Sequence, residues 1–318
     1  MYDIVGIDMP CLDLNVSVDT FPKANEGRRV LMNTWQGGGK VATGIVASAR
    51  LGAECTIIGA VGGDLYGCFC AQDLVRHGVN TDALYIGSED TTALSVVVSD
   101  RETGGRSILY HPGSIQMPAL TDASRAMIRS AKCLFLAAAG GIHREAAQIA
   151  REAGAVTLMD ADDTSQTMLD LLPLIDVFIA SETFYDTRYG DGLYEPHLRE
   201  LMAMGPSIAV FTLGEKGCAG IGPEGYFRLP AYPVEVVDTV GAGDVYHGAY
   251  AAALVQGKNA KDAANYASAV AAIKCTRIGG RAGIPNTAIV ERFLKDGFID
   301  YTELNARVEF YKRGLEHV

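Results

Sequence analysis

Residues 236–250 read VVDTVGAGDVYHGAY. A β-branched run meets two glycines and an aspartate, and a helical stretch of small residues follows. Glycine allows a tight turn with positive φ and close backbone approach. The free N–H groups at the start of a helix make such a turn a natural place for an anion. Asp244 therefore has two readings. It is an ordinary first-turn acid, favoured by the helix dipole, or it is a base set beside an anion site made by the same N–H groups. The stretch lacks the Lys-Ser/Thr of a P-loop and the glycine spacing of a dinucleotide fingerprint.

Working outward, strand-like and helix-like segments alternate. YDIVGI (2–7), ECTIIGAV (54–61), AKCLFLAAA (131–139), AVTLMD (155–160), DVFIA (176–180) and SIAVFTL (207–213) are short apolar runs, and VEVVDTV (234–240) is also strand-like. Helical patterns lie between them, among them VATGIVASARL (41–51), stopped by Gly52, and residues 64–77, ending in His77-Gly78. Such alternation predicts an α/β fold with a mainly parallel sheet covered by helices on both faces. Residues 11–36 and 91–111 break the pattern, each reading as two strands around a polar turn. Antiparallel hairpins of this kind form a small sheet, either a lid over the strand C-terminal ends or a surface ornament. No linker or internal repeat divides the chain, so 1–318 reads as one domain, with a lid at about 11–36 and 91–113.

The bulk numbers set bounds. A chain of 318 residues, 48% of them apolar, can bury a sizeable core. Its net charge of −11 argues against nucleic-acid or anionic-membrane surfaces. The seven cysteines are scattered without metal-type spacing and read as reduced core thiols in a cytoplasmic protein. No basic leader precedes the first strand, and no apolar run reaches the roughly 18 residues of a membrane span.

The segment at 238–244 closely resembles the second signature of the PfkB, or ribokinase-like, carbohydrate kinases, D-T-x-G-A-G-D followed by a small-residue helix. WQGGGKVATGIVASARLGA (35–53) resembles the first signature. GAVGGDLYG (59–67), VFTLGEKGC (210–218) and VAAIKCTRIGGRAGIP (270–285) resemble further pieces of the family in the same order. The resemblance runs from residue 2 to about 295. It implies a three-layer α/β/α core with a small β lid, and transfer of the ATP γ-phosphate to a primary hydroxyl of a monosaccharide or sugar acid.

By resemblance, Asp244 is the general base, and Gly241, Ala242 and Gly243 supply the anion hole. Asp13, Gly38 and Gly39 hold the sugar. Arg106 is a sugar-site arginine or a solvated hairpin charge. Thr212, Gly214 and Gly217 form the nucleotide turn, with Lys216 exposed, and Asn265 lines the adenine pocket. His247 stands where the family often has Asn beside the nucleotide; a structural histidine fits as well. Mg²⁺ would be held by water, phosphate and Glu182. A monovalent cation such as K⁺, used by many members, would take Asp238 and carbonyls around Val240, Lys274, Arg277 and Gly279.

Three departures stand out. Thr43 replaces the Asn of the first signature. The N-x-x-E motif is broken, with Phe184 where its Glu belongs. Lys40 follows the Gly-Gly pair and either meets an anionic substrate group or caps the loop. The C-terminal stretch looks most like ketohexokinase-like and sulfofructose-kinase-like members, which favours a keto-sugar. AAAGG (137–141) offers no charge to the site, which favours a neutral one. Other readings are a nucleoside kinase of the same fold, with Trp35 and Phe21 as stacking candidates, and a catalytically silent sugar-binding regulator. A nicotinamide dehydrogenase is disfavoured because no glycine fingerprint follows the first strand. The lids also imply a homodimer joined through them.

Overall fold

The computed structural model describes residues 1–316. Its strands are β1 (Ile4–Asp8), β2 (Leu12–Val18), β3 (Met32–Gly37), β4 (Cys55–Gly62), β5 (Leu84–Gly87), β6 (Leu94–Asp100), β7 (Arg106–His111), β8 (Cys133–Leu136), β9 (Val156–Ala161), β10 (Val177–Ser181), β11 (Ile208–Thr212), β12 (Cys218–Gly222) and β13 (Gly225–Leu229). The large sheet has the order β13-β12-β11-β10-β9-β8-β1-β4-β5. From β11 to β5 every pairing is parallel; β12 and β13 add an antiparallel edge. β1 lies between β4 and β8, so the chain order reverses there, which is where open α/β sheets place their ligands.

Alternating side chains of the strands feed two cores. Ile4, Cys133 and Phe135 point to one face, Val5, Ile7, Leu134 and Leu136 to the other. Helices cover both faces, as the alternation predicts. The helix Ala242–Val255 is buried continuously from Val245 to Ala253, which explains its small residues: it packs against the helices Lys40–Arg50 and Ala260–Cys275.

The second sheet has the order β3-β2-β6-β7. Its two antiparallel hairpins are joined by a parallel β2–β6 contact that sets Asp13 beside Ser95. All six residues of the edge strand β7 are exposed.

Two expectations need correction. Residues 234–240 form no strand. They are an extended connector across the sheet end, whose Val237 and Asp238 N–H groups both donate to the Cys275 carbonyl (2.8 and 3.1 Å). No neighbouring strand offers a ladder, so β-branched residues alone do not make one. In 131–139 only Cys133–Leu136 pair, because the chain then turns through Gly140-Gly141 into the next helix. No helix of the described residues is long and apolar enough to cross a membrane.

Candidate active site

The site lies at the C-terminal edge of the parallel strands. β1 ends in Asp8, whose Oδ2 accepts the Ala42 N–H at the start of the helix Lys40–Arg50 (2.8 Å). The turn into that helix is Gly37-Gly38-Gly39. A methyl group at Gly38 would stand 2.3 Å from Asp13 Oδ1, so only glycine lets this carboxylate lie against the turn. Gly39 has φ 95°, a left-handed conformation that suits glycine. Burial raises the Asp13 carboxyl to about 6, against the opposing effects of Cys11, Arg281 and Ser95.

Asp244 opens the helix Ala242–Val255, after Gly241 in left-handed conformation (φ 70°). Gly241 stands against Gly280, with 2.9 Å from a would-be Cβ to the Gly280 Cα. Asp244 is half-buried, and its carboxyl is pushed well above the usual carboxylate range. Desolvation is the largest cause and Asp160 the next; Lys40 opposes them, and Asp162 and Asp8 add to them. Lys40 is ion-paired with Asp162. Burial pulls its ammonium down, but Asp160, Asp162 and Asp244 outweigh burial and hold it above its ordinary value. A raised pKa brings a carboxylate closer to the value a general base needs near neutrality.

Beyond the turn, Ala242 and Gly243 form the rim of a cleft of about 700 Å³. Its walls come from the β11 turn (Thr212, Gly214, Gly217) and the helix Ala260–Cys275. That volume lies in the range of small-molecule sites, and the walls are mostly apolar with few polar groups. This helix N-terminus thus borders the apolar cleft through Ala242 and Gly243 and carries the Asp244 carboxylate in its first turn.

The family model for pfkB family carbohydrate kinases matches residues 2–287. The chain belongs to the PfkB family of carbohydrate kinases. It is 28% identical over 301 residues to a ribokinase of Bacillus subtilis, covering 92% of this chain and all of that one. It is 25% identical over 299 residues to a nucleoside kinase of Methanothermobacter thermautotrophicus, covering 92% and 95%. In fold it is similar to Arabidopsis thaliana ribokinase complexed with ribose and ATP, at TM-score 0.81 and 24% identity, over 92% of this chain and 99% of that one. As a PfkB kinase it is a phosphotransferase with an alcohol acceptor.

The structure brings together Asp13, Gly38, Gly39, Lys40 and Asp244 at one end of the candidate site, and Thr212, Gly214 and Gly217 at the other. Three candidates fall elsewhere, and Arg106 meets the cleft at Thr239 rather than the acceptor end. Asn265 is not in the cleft wall; it stands behind Tyr232, whose hydroxyl donates to it (2.9 Å), while Ser268, Ala271 and Ala272 face the cleft. His247 is buried beneath the turn, with Nδ1 on the Gly243 carbonyl (2.6 Å) and Nε2 on the Ile179 carbonyl (3.2 Å). Arg106 reaches the Thr239 hydroxyl (3.4 Å). It lies four residues along β7 from Tyr110, the register partner of Ser95, roughly 13 Å from the Asp13 end. Thr43 is buried, its hydroxyl 3.5 Å from Arg281 Nε, so it faces the protein.

The metal candidates divide. Glu182 accepts from Lys216 Nζ (2.6 Å), and Phe184, in the place of the missing Glu, is packed edge-on against Phe178. Among the described residues no group of three His, Cys, Asp or Glu gathers for a metal ion. A Mg²⁺ bound through water, nucleotide phosphates and one carboxylate needs no such group, so Glu182 fits it. The monovalent-cation candidates fit poorly. The Asp238 carboxylate accepts the N–H groups of Val240 (3.0 Å) and Gly279 (2.8 Å), and Lys274 Nζ donates to the Asp238 carbonyl (3.0 Å).

Sequence reasoning missed Asp8, Asp160, Asp162, Tyr110 and Arg281. Each carboxylate ends a parallel strand or follows one, and a census of acids at strand C-terminal ends finds them. Tyr110 is exposed, yet partial desolvation, with Cys11 and Asp8 nearby, raises its phenol above its ordinary value. That places it near the acceptor end of the site.

Proposed function

We propose that this PfkB kinase transfers the γ-phosphate of ATP to a primary hydroxyl of a neutral monosaccharide, with a keto-sugar favoured by the resemblance of residues 274–285 to the ketohexokinase-like branch. The observation that carries the reading is the placement of Asp244. It sits at a helix N-terminus with the apolar cleft on one side and the Asp13/Gly38 turn on the other. The acceptor hydroxyl gives its proton to Asp244 as its oxygen bonds to the γ-phosphorus, and the bond from that phosphorus to the β–γ bridging oxygen of ATP breaks in line. The N–H groups of Gly241 and Gly243 hold the phosphoryl group in flight; that of Ala242, a third donor by resemblance, is already given to the Thr239 carbonyl (3.1 Å). Mg²⁺ on the phosphates, held through water and Glu182, would neutralise charge on the departing ADP.

Charge supports a neutral acceptor over a sugar acid. Asp8, Asp13, Asp160, Asp162 and Asp244 converge on this end, and the nearby cations Lys40 and Arg281 are already paired with Asp162 and Asp73. An anionic sugar needs donors that this end does not offer.

The small sheet is well placed to act as a lid that excludes water, within a single kinase unit spanning 1–318. Its bare edge β7 exposes Ile108, Leu109 and Tyr110 by 54–63%, which supports a homodimer through this edge. A clean monomer by light scattering at micromolar concentration refutes that arrangement. Seven free cysteines, six of them buried, are in keeping with a cytoplasmic setting.

A second reading, nucleoside kinase, is favoured by Tyr110, an exposed aromatic residue whose register partner Ser95 stands beside Asp13. Trp35 does not serve there, since its ring packs against Gly314. The test is ATP consumption over fructose, ribose, tagatose, psicose, ketodeoxygluconate, phosphorylated and sulfonated hexoses, adenosine and inosine, with Asp244→Ala beside the wild type. Turnover with a neutral sugar that vanishes in the variant is the expected result. Turnover with nucleosides alone promotes the second reading. Binding without any turnover leaves a silent sugar sensor.

A further inference from the structure

We propose that the ammonium group of Lys274 stands in for a monovalent cation beneath the anion-hole turn, so that this kinase works without K⁺. The inference rests on the kinase reading above.

Lys274 is fully buried, yet it carries a charged head group. A buried ammonium is costly unless its surroundings compensate it. It lies in the last turn of the helix Ala260–Cys275, where the negative end of the helix dipole favours a cation. Its Nζ donates to the carbonyl oxygen of Asp238 at 3.0 Å, 36 residues away in sequence. The Asp238 carboxylate brings a negative charge to the same junction, where it binds the N–H groups of Val240 and Gly279. Lys274 therefore joins two segments, 238–240 and 274–279, that a bound cation would otherwise bridge through carbonyl oxygens.

What the junction holds in place is the catalytic turn. Asp238 is three residues before Gly241, and Gly241 packs directly on Gly280. Fixing the Asp238 carbonyl against the end of the helix fixes the approach to Gly241, and with it the aim of the anion-hole N–H groups. An ammonium ion has the charge and nearly the size of K⁺. Attached to the chain, it needs no supply from solution. Among the described residues, the Asp238 carboxylate and carbonyl already have their donors, so a second cation at this junction would have to displace one. Lys274 is thus a positioning residue that acts through Asp238 on the turn.

The experiment measures sugar-dependent ADP release, with Mg²⁺ present, in choline chloride, NaCl and KCl at equal ionic strength, with NH₄Cl added as a fourth salt for the variant. The thermal midpoint is recorded in each salt. Wild type and Lys274→Met, which keeps the aliphatic stem, are compared. The wild-type rate and midpoint are expected to be the same in all three salts. Lys274→Met is expected to lose about 10²-fold in choline, as a displaced catalytic turn does, and to recover most of it in KCl or NH₄Cl with a higher midpoint. Activation of the wild type by K⁺ overturns the proposal. So does full activity of Lys274→Met in choline, or a folded, inactive variant that no cation rescues. If Lys274→Met fails to fold, the wild type decides alone: a K⁺-dependent rate or midpoint refutes the proposal, and indifference to K⁺ upholds it. A protein that turns over no acceptor in any salt refutes the kinase reading instead, and the midpoints still report on the cation.

Discussion

A methyl group at Gly248 would stand 1.9 Å from the carbonyl oxygen of Gly44. The helix that carries Asp244 and the helix that follows the Gly-Gly turn thus cross backbone to backbone, and the Ser48 hydroxyl locks the crossing by donating to the Gly248 carbonyl (2.8 Å). This contact sets how far Asp244 stands from the Gly38-Gly39 turn. Gly248→Ala must push the helices apart. The expected cost is about 1–3 kcal/mol or more in chemical denaturation, typical of overpacking. The expected kinetic effect is a fall in kcat larger than the same stability loss produces at a remote core site. An unchanged kcat refutes the coupling.

Asp244→Asn keeps the shape of the side chain and removes the base. Expected is a loss of about 10²–10⁴ in kcat with sugar binding retained by calorimetry. Stability should move the other way. The folded state raises the Asp244 pKa, so its stabilising contribution is complete below the unfolded pKa and is lost as pH rises through the folded one. At neutral pH the charged carboxylate is therefore a liability to folding. Asn should melt higher than Asp at pH 7–8, and the gap should close in acid.

The pH–rate profile should show an acid limb above the usual carboxylate range, because the base works only when Asp244 is ionised. Asp160→Asn removes the largest charged cause of the raised value, so the limb should move to lower pH. Lys40→Met removes the opposing cation, so the limb should move to higher pH. Profiles of kcat/KM for the three proteins check both signs.

Arg281 is buried entirely and donates from Nη1 to Asp73 Oδ2 (2.8 Å) and from Nη2 to the Gly38 carbonyl (2.9 Å). Arg281→Met leaves Asp73 with an uncompensated charge in the core. A loss of about 3–5 kcal/mol in denaturant titration is expected. Because Gly38 loses its anchor, the sugar KM should rise more than the ATP KM. The double variant Arg281→Met, Asp73→Leu should recover much of the stability but not the sugar KM.

The local order of residues already carried much of this. Alternation of apolar runs and helical patterns marked the parallel sheet, period-two hairpins marked the second sheet, and the GAGD turn marked the start of the helix that carries Asp244 in its first turn. Each of these is written in neighbouring residues, since backbone conformation and side-chain period are local properties.

Neighbouring residues alone thus wrote the fold, the family and the glycine turn that leads Asp244 into its helix. What only the tertiary structure decided is the company that turn keeps. Asp8 from β1 and Asp160 and Asp162 from the end of β9 meet at Asp244 through the parallel sheet, and Lys274 reaches Asp238 across 36 residues. The β-branched connector 234–240 finds no ladder, and His247 turns into the core. The physical reason is that charge, desolvation and hydrogen bonding depend on distance through space, and the chain's linear order does not contain that distance until the sheet is assembled.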